Sequence, residues 1–190
     1  MATATRKAAS KSATRAPARK AAPRTPVAQE ATALLRADHK EVSALFEQYE
    51  GARSVAKKKS IVASICMALG VHAQVEEEIF YPAVKAALKD KEMVPEATVE
   101  HATLKELIAQ VEGKEPDGEM FDARIKVMSE YVKHHVKEEE TEMFPKARKT
   151  RLDMKALGAR MAARKEELVA SWPLGGDKPG LLARLAEVVA

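Results

Sequence analysis

A histidine–carboxylate pattern occurs twice along this chain, and no other feature restricts its fold as strongly. The first copy comprises His39, then His72-Ala73-Gln74-Val75-Glu76, then Tyr81-Pro82. The second comprises His101, then His135-Val136-Lys137-Glu138-Glu139, then Phe144-Pro145. The lone histidine recurs after 62 residues (39 to 101), and the HxxxE pair and the aromatic–proline step recur after 63. Of the five histidines in 190 residues, four fall on this lattice. On a helix, residues four apart share a face. His72 with Glu76, and His135 with Glu139, therefore each present an imidazole and a carboxylate together.

Both pairs sit on apolar stripes. Ile61, Ile65, Leu69, His72, Glu76, Ile79 and Ala83 form one stripe; Met128, Val132, His135, Glu139 and Met143 form the other. An ionised Glu buried without a partner is very costly. Two such carboxylates and four imidazoles in one core call for a compensating cation. Mixed nitrogen and carboxylate ligands suit iron, manganese or zinc, and inward-facing Glu and His from facing helices are how bundles build two-metal centres. His134 with Glu138 has the same i,i+4 spacing and competes with His135 and Glu139. The repeat offset and the continuous stripe favour His135 and leave His134 exposed or in an outer shell. Glu77, Glu78, Glu138 and Glu140 read as a solvated face, with one of them as an outer-shell partner, or as a ligand of an irregular site, as the alternative. Tyr81 reads as a packing residue, with a donor role as the alternative.

The rest of the chain fits an all-α architecture. Aromatics make up only 4% of it, while Ala, Leu, Lys and Glu are plentiful, which favours helices over sheets. Periodicity predicts helices from about Pro26 to Gly51, Ser54 to Asp90, Pro95 to Glu112 and Phe121 to Lys149. Pro82 and Pro145 should kink or break theirs, since proline lacks the N–H that the helix requires. The economical arrangement is an up-down-up-down four-helix bundle over residues 27–150. Residues 151–190 form a C-terminal helical extension: a fifth helix over 152–170, a Pro/Gly linker, and a short apolar helix that packs on the body or forms a subunit contact. Residues 1–26 hold seven basic and no acidic residues and no large apolar anchor, so a disordered basic tail is expected. The formal net charge of +4 thus conceals a body of net −3, with 25 basic and 28 acidic residues. The tail could bind nucleic acid weakly, with strong salt dependence; a purely solubilising tail is the alternative.

No apolar run approaches the roughly 20 residues of a membrane span. A single cysteine, Cys66, rules out an intrachain disulfide and suits a reducing cytoplasm. Phosphate-binding glycine loops, CxxC pairs and Ser-His-Asp sets are absent, which leaves hydrolase, kinase and dinucleotide-binding readings without residues.

The motifs Asp38-His39, His72-x-x-x-Glu76-Glu77 with Phe80-Tyr81-Pro82, Glu100-His101, and His135-x-x-x-Glu139-Glu140 with Met143-Phe144-Pro145 resemble the hemerythrin-like (HHE cation-binding) domain family, bacterial type, over roughly residues 30–148. The resemblance implies a four-helix bundle around an oxo- or hydroxo-bridged pair of iron ions. His39, His72, His101 and His135 would be terminal ligands, and Glu76 and Glu139 bridges. It also implies a small ligand (O2, peroxide or NO) and roles in oxygen or redox sensing, peroxide removal of a catalase-like kind, or iron handling. Oxygen-carrying relatives have a further His where this chain has Lys105, and an Asp as second bridge where it has Glu139. That difference points away from simple oxygen transport. A joint reading of tail and bundle is a DNA-associated iron or stress-protection protein.

Overall fold

The computed structural model of the chain describes residues 29–89 and 91–172, all of them helical or in connecting turns. Helix α1 spans Ala31–Gly51 and α2 spans Val55–Val75. A single π-helical turn, Glu76–Phe80, joins α2 to α3, Tyr81–Leu88. Helix α4 spans Met93–Val111, and α5 spans Glu119–Glu138. A second π turn, Glu139–Met143, leads into α6, Phe144–Arg148, and α7 follows at Met154–Ser171. The four rods α1, α2–α3, α4 and α5–α6 form the bundle, and α7 is an added fifth helix. The basic tail, the linker beyond Trp172 and the short terminal helix expected from the sequence lie outside the described residues.

Local chemistry sets the boundaries. Ser54 caps α2 by accepting from the Lys57 N–H, and Asp153 caps α7 by accepting from Lys155 and Ala156. The α4–α5 connection turns through Gly113 at φ 70° and Gly118 at φ 134°, a region that side chains disfavour.

The prolines do not break the rods. Pro82 has no N–H to offer the Glu78 carbonyl, and the chain widens by one residue instead. The Tyr81 N–H bonds the Glu76 carbonyl five residues back, and Phe144 does the same to Glu139. Such π turns recur at functional sites. Here each begins on a candidate ligand carboxylate.

Two apolar clusters fill the bundle. One contains Phe46, Ile65, Leu69, Leu104, Ile108, Phe121, Met128 and Val132. Cys66 belongs to it, 1% exposed, with burial and then Glu112 pushing its thiol up to about 12. The other contains Leu35, Val75, Phe80, Tyr81, Val84, Ala97, Met143 and Phe144. Each fully buried large side chain contributes roughly 1.5–3 kcal/mol. Every rod passes from one cluster to the other, and at each crossing a histidine intervenes. His39 lies between Leu35 and Val42, His72 between Leu69 and Val75, His101 between Ala97 and Leu104, and His135 between Val132 and Met143.

Helix α7 packs on α1, α2 and the first π turn. Its Leu157, Met161 and Leu168, with Trp172, join the cluster of Leu34, Leu35, Val71 and Val75. The fit is close. A Cβ on Gly158 would strike the backbone of residues 29–31, and one on Gly70 would strike the Trp172 ring.

Candidate metal centre

The polar layer between the two clusters brings together all six residues singled out by the repeat. His39, His72, His101 and His135 are each no more than 7% exposed, and Glu76 and Glu139 are at 0% and 1%. Imidazole Nε2 atoms point inward. Glu76 Oε2 lies 3.1 Å from His72 Nε2 and 3.4 Å from His101 Nε2. Glu139 Oε2 lies 3.2 Å from His39 Nε2 and 3.7 Å from His135 Nε2. Each carboxylate therefore spans both halves of the bundle. His101 Nε2 and His135 Nε2 approach to 3.2 Å, a separation that needs a shared proton or a cation between them.

An outer ring of carboxylates holds the imidazoles in place. Nδ1 lies 2.9 Å from Glu140 in His39, 3.5 Å from Asp38 in His72, 3.1 Å from Glu77 in His101 and 2.6 Å from Glu100 in His135. A carboxylate only accepts, so an Nδ1 bonded to one carries a proton, and the ring's other nitrogen, Nε2, is the atom left to face a cation at the centre. The ring obeys the repeat. Asp38 and Glu100 immediately precede the lone histidines, and Glu77 and Glu140 immediately follow the inner carboxylates. Their position on the same lattice was the available signal, and sequence reasoning passed over it by treating Glu77 and Glu140 as solvated. Cations cap three of the four: Lys165 on Asp38 (2.5 Å), Lys105 on Glu77 (2.6 Å) and Arg36 on Glu140 (2.5 Å). Lys105, where oxygen carriers have a histidine, thus reaches an outer carboxylate.

Tyr81 does more than pack. Its hydroxyl lies 3.0 Å from Glu139 Oε1, 3.2 Å from Glu76 Oε2, 3.2 Å from His101 Nε2 and 3.4 Å from His135 Nε2. Burial, then Glu76 and Glu139, hold its pKa well above 10. The π turn explains this reach, because the i→i+5 closure brings residue 81 onto the face of residue 76. The repeat mate of Tyr81 is Phe144, which stacks on His39 with ring centroids 5.8 Å apart and has no hydroxyl to offer.

The electrostatics match a site for a cation. Burial opposes charge on His72, yet Glu76 and Asp38 outweigh it and push its pKa up to about 10. Burial likewise opposes ionisation of Glu76, but His72, then His101 and His135, hold it at about 2. Without metal the layer is thus an ion-paired network, and it is incompletely satisfied. His39 Nε2, Glu76 Oε1 and Glu139 Oε2 are buried with no hydrogen-bond partner. Unpaired polar atoms at such a depth are costly, and a cation at their shared centre would satisfy them. Their donor atoms form two overlapping groups, His39/His72/Glu76/Glu139 and Glu76/His101/His135. His134 stands apart, its side chain 61% exposed, 3.2 Å from Glu138.

A helical bundle with a buried layer of four imidazoles and two carboxylates defines a cation-binding protein. The family model of the Hemerythrin HHE cation binding domain matches residues 30–147, and the chain belongs to that family. Its fold resembles the crystal structure of a hemerythrin HHE cation-binding domain-containing protein from Mycobacterium kansasii. The TM-score is 0.65 at 22% identity, over 75% of this chain and 89% of that one. A protein of Nostoc sp. described as a DNA nickase is 28% identical over 111 residues, which is 58% of this chain. The match spans only 31% of that relative's length.

Proposed function

We propose that this protein holds two iron ions and uses them to bind O2, peroxide or NO, in oxygen or redox sensing or in oxidative-stress and iron handling. His39 and His72 would be terminal ligands of one ion, His101 and His135 of the other, with Glu76 and Glu139 shared. One observation carries the reading: each inner carboxylate reaches a histidine of both halves. Four inward imidazoles arranged in two overlapping groups support two ions rather than one. Imidazole with carboxylate suits iron; manganese and zinc are the lesser alternatives.

Iron supplies the change of redox state on which the chemistry of such small ligands depends. The chain's own residues do the rest. Asp38, Glu77, Glu100 and Glu140 fix the imidazole orientations. Tyr81 donates its hydroxyl proton to an inner carboxylate on the His101/His135 side. On the His39/His72 side Phe144 offers only carbon, so no phenol proton is supplied there. Phe80 and Phe144, both 0% exposed, help keep bulk water out.

The test is metal content of the purified protein, with absorption spectra before and after peroxide. About two irons per chain and bands that peroxide alters are expected. No metal after anaerobic Fe(II) loading would end the reading. Peroxide consumption with oxygen release would establish a catalase-like enzyme, and its absence would favour a sensor or store.

A second reading has the iron protein associated with DNA. The seven-residue positive charge of residues 1–26 and the relative described as a DNA nickase favour it. Salt-sensitive DNA binding that disappears on deleting residues 1–26 is the expected result, and no binding by the full chain would remove the idea.

A further inference from the structure

The two halves of the bundle differ most on their outer faces. In the first half, α7 covers the face made by α1, α2 and the first π turn. Three residues of that face are Leu34, Val75 and Ile79. Leu34 and Val75 are buried in the cluster that α7 joins, and Ile79 packs against it. The repeat carries these positions to Glu96, Glu138 and Glu142. Among the described residues no helix lies over this second face. A cavity opens there instead, lined by those three carboxylates with Glu100, His135 and Glu139.

The cavity leads from solvent to the buried centre. Glu139 lines it although only 1% exposed, and its Oε2 has no hydrogen-bond partner. Glu96 and Glu142 are exposed at the mouth. Glu100 and Glu138 of its lining meet the exposed His134 beside it, one atom of each within 4.8 Å of the others. Glu100 faces both ways, with Oε2 2.6 Å from His135 Nδ1 and Oε1 3.9 Å from His134 Nε2. Among the described residues it is the one outer carboxylate without a Lys or Arg cap. Its repeat mate, Asp38, has Lys165 from α7. At the mouth Lys146 reaches Glu142 at 3.3 Å, and among the described residues Glu96, Glu100 and Glu138 have no Lys or Arg partner there.

We infer that this cavity is the route by which divalent metal reaches the centre, with Glu100, His134 and Glu138 as a transit site. The inference rests on the metal-binding reading above and adds a path and a direction to it. Carboxylates at a low-dielectric mouth concentrate cations and speed their capture. An imidazole beside two carboxylates can bind a metal briefly before His135 and Glu139 draw it inward. The opposite face is closed, because leucine, valine and isoleucine lie there under α7, whose Lys165 and Arg164 already pair with Asp38 and Glu78.

The experiment is stopped-flow loading of the metal-free full chain with Co(II), followed by its visible bands, and with Fe(II) under anaerobic conditions. Glu96→Gln/Glu138→Gln/Glu142→Gln removes charge from the mouth without touching the inner six residues. Loading should slow on the order of tenfold at low salt, with unchanged final stoichiometry and spectrum. The wild-type rate should fall as salt rises, and the variant's should hardly change. A control, Glu115→Gln/Asp117→Asn/Glu119→Gln at the α4–α5 loop, removes equal charge at the other end of the bundle and should load at the wild-type rate. Equal loading rates in wild type and the mouth variant would overturn the route, as would equal slowing in the control. A wild-type chain that takes up neither metal would remove the metal-binding reading itself, a separate failure visible before any rate is compared.

Discussion

The segment from α1 to α3 and the segment from α4 to α6 keep the same pattern of histidines, inner and outer carboxylates, π turn and proline, yet their outer cover and their aromatic at the centre differ. Gly70 lies beneath Trp172 in the first, and its mate Lys133 is exposed in the second. Tyr81 places a hydroxyl in the centre; its mate Phe144 does not. What is held in common are the side chains of the layer and the carboxylates one hydrogen bond outside it, while the differences are the outer cover and one phenol. The centre imposes one set of demands on both halves, while cover and access are divided between them.

The largest expected effect tests what is common. His72→Leu or His135→Leu should each abolish stable metal binding, whichever half is changed, as read by metal analysis after gel filtration. Retention of full metal by either variant would break the equivalence of the halves. Next come the outer carboxylates. Asp38→Ala and Glu100→Ala should each weaken metal affinity roughly 10–100-fold, by loss of imidazole orientation. The Asp38 variant should also lose thermal stability, because Lys165 of α7 loses its partner. A Glu100 variant that is the less stable of the two would contradict the division described above.

Proton competition ranks third. His72 in the metal-free chain has its pKa raised to about 10, so at neutral pH a metal must displace that proton. Affinity should rise with pH toward 10, by up to about tenfold per unit for each proton displaced. Titration in weakly buffered indicator solution should show acid release on loading. In the metal-free chain the sign is opposite. The stabilisation from protonated His72 is fully present below about 6.5, the ordinary histidine value, and is lost as pH rises through about 10.

Packing of the cover comes fourth. Gly70→Ala presses a methyl into the Trp172 ring and should cost about 1–3 kcal/mol in urea unfolding. Lys133→Ala at the equivalent position should stay within about 0.5 kcal/mol. The smallest effect is Tyr81→Phe, which makes the two aromatic positions alike. It should shift the absorption spectrum and leave metal stoichiometry intact; an unchanged spectrum would show that the hydroxyl does not sense the metals.

The bundle and the grouping of the six inner residues were legible because two periodicities coincide, the helical i,i+4 step and the 62- or 63-residue repeat. Tyr81 was not legible by that means. Five residues from Glu76 is the wrong face of an α-helix and becomes the right one only where Pro82 leaves Glu78 without a donor and a π turn forms. The proline was read as a kink, and the register change it accompanies is what carries the phenol inward. Helix α7 could be read from its periodicity, but its docking depends on two glycines, Gly70 and Gly158, whose neighbours lie far away in sequence. The acidic cavity was hidden for a related reason: Glu138 and Glu142 look like an ordinary wet face until set against the valine and isoleucine of the other half.

The paired imidazoles and carboxylates bear on the order of events in the life of the molecule. Many small metal-dependent folds collapse when a chelator takes their ion, since nothing else holds the ligands together. Here a proton on His72 stands between Glu76 and Asp38, and Lys165, Lys105 and Arg36 clasp the ring outside. The bundle carries its own counter-charges. The fold should therefore survive treatment with a chelator, with helical circular dichroism unchanged, rather than give way to a disordered chain.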